Sequence, residues 1–197
     1  MVNFGERIAY WYLRLNGFLL VEDFVLHRKD GRRTSDVDLL GVRLRHSAES
    51  IDNMPLQLHS AIQQLVGEET DPKHVALVVQ VKTGAAGSAG RAFDAERLRH
   101  SLRFVGAVPE AALQGVVQEL GENATSSQDG WLFAKLLIAE EPRDTNAVGV
   151  SLKDALGFIE DRLKRHVGPK AADRLIFPDE VMQFLARRAG QEGTAHG

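Results

Sequence analysis

Val75-Ala76-Leu77-Val78-Val79-Gln80-Val81-Lys82 is a β-branched run in which Gln80 and Lys82 are the only polar residues. An apolar run without alternation belongs to a strand covered on both faces, so this segment predicts the centre of a sheet flanked by helices. Strand periodicity puts Gln80 and Lys82 on the same face. Upstream, Phe18 to His27 and Thr34 to Leu44 read as two strands joined at Lys29-Asp30-Gly31-Arg32, a hairpin. On the second of these, alternation groups Asp36, Asp38, Leu40 and Val42 against Val37 and Leu39.

Before the hairpin, Phe4, Ile8, Trp11, Tyr12 and Leu15 recur at helical spacing, and Gly17 ends that helix. Glu6 projects from its other side beside Ala9, Tyr10 and Leu13, a largely apolar surface. Residues 46–74 are an insertion with one helical stretch, Pro55 to Val66. Downstream come a Gly/Ala/Ser loop from Gly84 to Gly90, helices over Phe93 to Val105 and Pro109 to Leu120, and a polar loop from Gly121 to Gly130. A strand over Trp131 to Glu140 follows. Ser151 caps a helix to His166, and Pro178 opens one to Arg188. The order is that of an α/β protein with a mixed sheet between helices.

Composition narrows the chemistry. The 197 residues include no cysteine, and 24 Lys and Arg stand against 27 Asp and Glu, a net charge of −3. A disulfide scaffold, a thiolate metal site and a thiol nucleophile are excluded. A polyanion would have to be met by a local basic patch rather than by the whole chain. No run approaches the roughly 18 apolar residues of a membrane span, and no secretory signal opens the chain, so a cytoplasmic protein is expected. Histidines such as His27, His46, His59, His74, His100 and His166 form no His-x-x-x-His pair, which leaves zinc without support.

Asp38, Gln80 and Lys82 occupy strand positions where polar side chains are costly, several kcal/mol each if left unpartnered. If their strands are neighbours, the three converge. A carboxylate and an amide oxygen are hard ligands suited to Mg²⁺ or Mn²⁺, which keeps water in its other positions. A metal lowers the pKa of such a water, and a lysine beside it can orient it. These parts suffice for phosphodiester hydrolysis.

Gly5-Glu6 on a first helix, Gly17 at its end, Ser35-Asp36-Val37-Asp38-Leu39-Leu40-Gly41 on the hairpin and Val79-Gln80-Val81-Lys82 on the next strand together resemble the PD-(D/E)XK nuclease superfamily. That group includes restriction endonucleases and Holliday-junction resolvases. The resemblance spans residues 4–106. It implies a restriction-endonuclease-like fold, with the metal-binding aspartate on the second strand and an acid-x-Lys pair on the third. Carried over, Asp38 matches the metal-binding aspartate, Lys82 the catalytic lysine, and Glu6 the helix-borne acid that joins the metal through water. Gln80 replaces the commoner Glu or Asp, as in Mrr-type restriction enzymes, and removes one negative charge. The implied organisation is a nuclease-like core over 1–145 with the 46–74 insertion, a C-terminal helical appendage over 146–190, and a flexible tail over 191–197.

Charge is unevenly spread. Residues 27–45 carry Arg28, Lys29, Arg32, Arg33, Arg43 and Arg45 against Asp30, Asp36 and Asp38, and residues 82–104 carry Lys82, Arg91, Arg97, Arg99 and Arg103 against Asp94 and Glu96. Residues 109–144 are acidic and offset both. DNA is therefore the expected partner, with Arg28, Lys29, Arg32, Arg33 and Arg91 as its phosphate contacts and Mg²⁺ or Mn²⁺ as cofactor. The alternative is an inactive nuclease-fold subunit that binds DNA or protein, as a homodimer or within a larger assembly. Other motifs fall away: Lys82-Thr83-Gly84 has no Ser-x-x-Lys companion, and Ala86-Gly87-Ser88-Ala89-Gly90 lacks the first glycine of a nucleophile elbow. Asp36, on the face of Asp38, is either a second metal ligand or, by preference, a solvent-facing residue near the hairpin mouth.

Overall fold

A computed structural model describes residues 3–27, 33–51, 54–67, 71–84, 93–143, 146–165 and 179–194. Helix α1 (Phe4–Arg14) begins where the Asn3 side chain accepts the Gly5 N–H at 3.1 Å. It ends in a turn where Gly17 takes φ +83°, a left-handed conformation that glycine adopts without strain. Strands β1 (Leu19–His27) and β2 (Arg33–Arg43) form the expected hairpin. The insertion adds a two-stranded ribbon, β3 (Ser50–Ile51) with β4 (Met54–Pro55), and helix α2 (Ser60–Val66). The helix is shorter than the sequence suggests, because Pro55 pairs with Ser50 and Leu56 N–H bonds the Glu49 carbonyl at 2.8 Å.

Strand β5 (His74–Lys82) is the predicted central strand and lies between β2, antiparallel, and β7 (Trp131–Ala139), parallel. Helices α3 (Ala95–Val105) and α4 (Glu110–Glu122) make the crossover. Two further strands lie where the sequence reading placed none. Strand β6 (Thr125–Gln128) turns back into β7 through Asp129 and Gly130, both at positive φ, and β8 (Val148–Ser151) pairs with the far end of β7. Helices α5 (Leu152–Arg165) and α6 (Glu180–Thr194) follow, capped by Ser151 Oγ on the Asp154 N–H and by Asp179 on the Val181 and Met182 N–H groups. Among the described residues, the main sheet has six strands, in the order β1-β2-β5-β7-β6 with β8 also on β7. The chain is α/β, with helices on both faces.

The two faces of β5 feed two cores. Val75, Leu77, Val79 and Val81 pack against Ile8, Ala9, Tyr12 and Leu13 of α1, Ile62 of α2, Ile159 of α5 and Met182 of α6. Ala76 and Val78 pack with Leu40 of β2 against Leu98 and Leu102 of α3 and Leu113 and Val117 of α4. Gln80 and Lys82 continue this second face by alternation. Among the described residues, no helix is long and apolar enough to cross a membrane.

Polar clips hold the insertion to the first core. Tyr12 Oη and His59 Nδ1 lie 2.8 Å apart, and the His59 N–H donates to Asn16 Oδ1 at 2.8 Å. Burial holds the His59 pKa below its ordinary value, with Asp154 pulling weakly the other way. The folded state therefore keeps this imidazole neutral, and below the unfolded pKa of about 6.5 the unfolded chain binds the extra proton. Stability in urea titrations is expected to be full above that pH and to fall as the pH drops below it. His59→Gln should flatten the slope; an unchanged slope in that variant would assign the effect elsewhere.

Candidate functional site

The site sits where β2 and β5 stop pairing. Their ladder runs from Arg43 opposite Val75 to Leu39 opposite Val79. One residue further, the Asp38 carboxylate enters the space between the strands. Its Oδ2 accepts the Val81 main-chain N–H at 2.6 Å and a hydrogen bond from Gln80 Nε2. The side chain thus satisfies a backbone donor that the ladder would otherwise leave open, which fixes the carboxylate at the strand end. Hydrogen bonds to an ionised acceptor contribute about 1.5–3 kcal/mol each, enough to hold polar groups in this interior. Gln80 is buried at 7% exposure, Asp38 and Lys82 are half-buried, and Thr83 and Gly84 are open to solvent.

Just upstream, the β1–β2 register slips: Phe24 faces Val37 while Val25 faces Ser35. Asp36 is the extra residue of a β-bulge. Strict period-two alternation would set Val37 opposite Leu40, yet both join the α3 side of the core.

Glu6 lies in the first turn of α1, half-buried. The start of that helix packs on the end of β5: a Cβ on Gly5 would come within 2.2 Å of Thr83 Cγ2 and 3.4 Å of Val81 Cγ1, and Asn3 Nδ2 donates to Thr83 Oγ1 at 3.2 Å. Only glycine permits this approach without displacing Thr83. Glu6 is therefore at the same end of the sheet as Asp38 and Gln80, on the helix that covers the opposite face. Arg33 opens β2, paired with His27. Arg28, Lys29, Arg32 and Arg91 lie outside the described residues.

Strand β7 brings a residue that the sequence reading passed over. Lys135, 3% exposed, stands next to Val78 in the parallel ladder, and its Nζ lies 5.8 Å from the centre of the Phe93 ring. Phe93 packs with Leu137 and Ala139, the partners of Gln80 and Lys82 in that ladder. The Lys135 stem thus runs along β7 toward Phe93, which packs at the level of Gln80. The signal was available: Lys135 is the one charge within Trp-Leu-Phe-Ala-Lys-Leu-Leu-Ile-Ala.

The side chains gathered at the strand ends are one carboxylate and one amide in contact, with Lys82 two residues further along β5. Among the described residues, no group of three His, Cys, Asp or Glu is placed to hold a metal ion. A hard divalent cation that keeps most of its water needs only one or two protein oxygens, and turning the Gln80 amide end over would exchange its N–H₂ for its oxygen beside Asp38. No family model, curated protein or solved structure matches this chain.

Proposed function

We propose that this chain is a divalent-metal-dependent nuclease-fold protein that hydrolyses phosphodiester bonds in DNA. The observation that carries the reading is the contact of Asp38 on the second long strand with Gln80 on the third, with Lys82 two residues further on the same face. The restriction-endonuclease-like arrangement implied by the motifs calls for this pairing, and the order of first helix, hairpin, central strand, helical crossover and parallel strand is compatible with it.

Asp38, pinned by Val81 N–H, and the Gln80 amide oxygen would hold Mg²⁺ or Mn²⁺. Such a metal supplies a water acidic enough to attack phosphorus at neutral pH. The chain's own residues do the rest. Lys82, at the solvent end of β5, meets the phosphate and orients the attacking water. Glu6, on the opposite face, takes part through water. Arg28, Lys29, Arg32 and Arg33 of the hairpin, with Arg91, are the expected contacts of the DNA backbone.

The deciding experiment is nicking of supercoiled, linear, single-stranded and branched DNA by the purified chain with Mg²⁺ or Mn²⁺. Lys82→Ala is expected to slow cleavage by about a hundredfold or more. Absence of cleavage on every DNA form would refute the reading.

One observation favours the second reading, an inactive nuclease-fold subunit that binds DNA or protein. Gln80 donates directly to Asp38, so the pair is satisfied without an ion. Calorimetric titration with Mg²⁺ separates the two: a retired site binds none, and an active one binds in a manner abolished by Asp38→Ala.

A further inference from the structure

At the other end of the sheet, five residues along β2 from Asp38 and about 16 Å away at ~3.3 Å per residue, a cavity of about 490 Å³ opens between the end of β2, the insertion and α2. Among the described residues that line it, every ionisable side chain is basic: Arg43, Arg45 and His46, with Ser47, Gln57 and Gln63 as neutral hydrogen-bonding groups. We propose that this cavity is a binding site for a phosphomonoester of nucleotide size, separate from the Asp38 site.

Arg43 carries the argument. It is 5% exposed, yet the groups that meet its guanidinium are main-chain carbonyls: Nε donates to Asn16 at 3.2 Å, Nη1 to Leu44 at 3.5 Å and Nη2 to Ser47. No carboxylate pairs with it among the described residues. A guanidinium has five N–H groups, so two remain beyond these three bonds. A buried cation whose charge is not compensated is costly, and an anion in the adjoining cavity relieves that cost. The fixed, planar fork suits phosphate oxygens.

Arg45 and His46 repeat the pattern at the rim. Arg45 is exposed, and its Nε donates to His74 Nε2 at 2.9 Å, a neutral acceptor rather than an acid. His74, held below its ordinary pKa by burial and by the charges of Arg45 and His46, reports a positive field there. Beyond Arg45, the His74 ring stacks on Trp131 with centroids 4.8 Å apart, an aromatic pair joined to the rim through Arg45. The volume lies within the range of pockets that enclose small organic ligands.

Calorimetric titration of the full chain with inorganic phosphate and with adenosine monophosphate tests the site. Both are expected to bind, the nucleotide more tightly, and the double variant Arg45→Gln with His46→Gln is expected to weaken both about tenfold or more. Those two positions are exposed, so the variant keeps the fold; Arg43→Lys, which keeps the charge but loses the fork, should weaken binding further if it folds. Lys82→Ala, at the far end of the sheet, should leave both affinities unchanged. No binding of either probe, binding indifferent to Arg45→Gln with His46→Gln, or binding lost in Lys82→Ala would overturn the proposal.

Discussion

Asp38→Ala is expected to abolish metal-dependent DNA cleavage and to destabilise the fold at the same time, and Asp38→Asn is expected to separate these two effects. In the alanine variant, the Val81 N–H and the buried Gln80 amide lose the acceptor that now satisfies both. Each buried donor left unpaired costs about 1–3 kcal/mol, so a loss of about 2–4 kcal/mol in urea denaturation is expected. Asparagine keeps an oxygen at the right place for Val81, and Gln80 can turn its own oxygen toward the new amide N–H₂. Its cost should stay near ~1 kcal/mol, a neutral bond replacing a charged one. It nevertheless lacks the negative charge that a divalent ion requires, so cleavage should fall by about a thousandfold or more, comparable to losing a central electrostatic group in other enzymes. Asparagine that retains near-wild-type cleavage would remove Asp38 from the chemistry and leave it as a clip between two strands. Asparagine as destabilising as alanine would show that charge, not hydrogen-bond satisfaction, holds the strand end together.

The reach of the sequence stops at recognisable physical boundaries. Val75–Lys82 declared itself because a strand covered on both faces has no room for polar residues, and the exceptions at 80 and 82 then stood out. Asp38 was legible for the same reason. Face assignments on β2 were legible only in part: Val37 shares the core face of Leu40 against strict alternation, next to a register slip at Asp36 that nothing in Ser-Asp-Val-Asp announces. Helical periodicity set Glu6 beside Ala9, Tyr10 and Leu13 on a largely apolar side of α1, but not which face of the sheet that helix would cover. Strand β6 is hidden by its composition, Thr-Ser-Ser-Gln, although the Asp129-Gly130 turn behind it is a recognisable hairpin signal. Strand β8 has four residues, too few for a period to show. The cavity beside Arg43 was beyond reach altogether: it is built by the insertion, whose position depends on contacts distant in the chain.

Arg162→Ala is expected to be among the most destabilising single changes in the protein, through one of those distant contacts. Arg162 on α5 is 6% exposed; its Nη1 bonds Glu49 Oε2 at 2.7 Å, its Nη2 donates to the Gln57 carbonyl, and its guanidinium lies 4.9 Å from the centre of the Phe158 ring. Both polar partners belong to the insertion, and Glu49 is 113 residues away in the chain. Removing one side of a buried charge pair costs about 3–5 kcal/mol, and because Glu49 keeps 25% exposure and recovers some hydration, about 2–4 kcal/mol is the expected loss in urea denaturation. Arg162→Met keeps the apolar stem over Phe158 and should recover part of it. Glu49→Gln alone should cost less than Arg162→Ala, since the guanidinium retains the Gln57 carbonyl and the aromatic ring. The double variant decides what is being measured. If the pair holds the insertion to α5, the two losses should fall short of adding by about 1–3 kcal/mol. Strict additivity would mean that Arg162 acts through packing alone. The same substitution reaches the far side of the insertion: with α2 and the β3–β4 ribbon released from α5, the cavity wall formed by Gln57 and Gln63 loses its support. Phosphate affinity should therefore drop in Arg162→Ala even though Arg162 does not line that cavity, and the drop should be smaller in Arg162→Met.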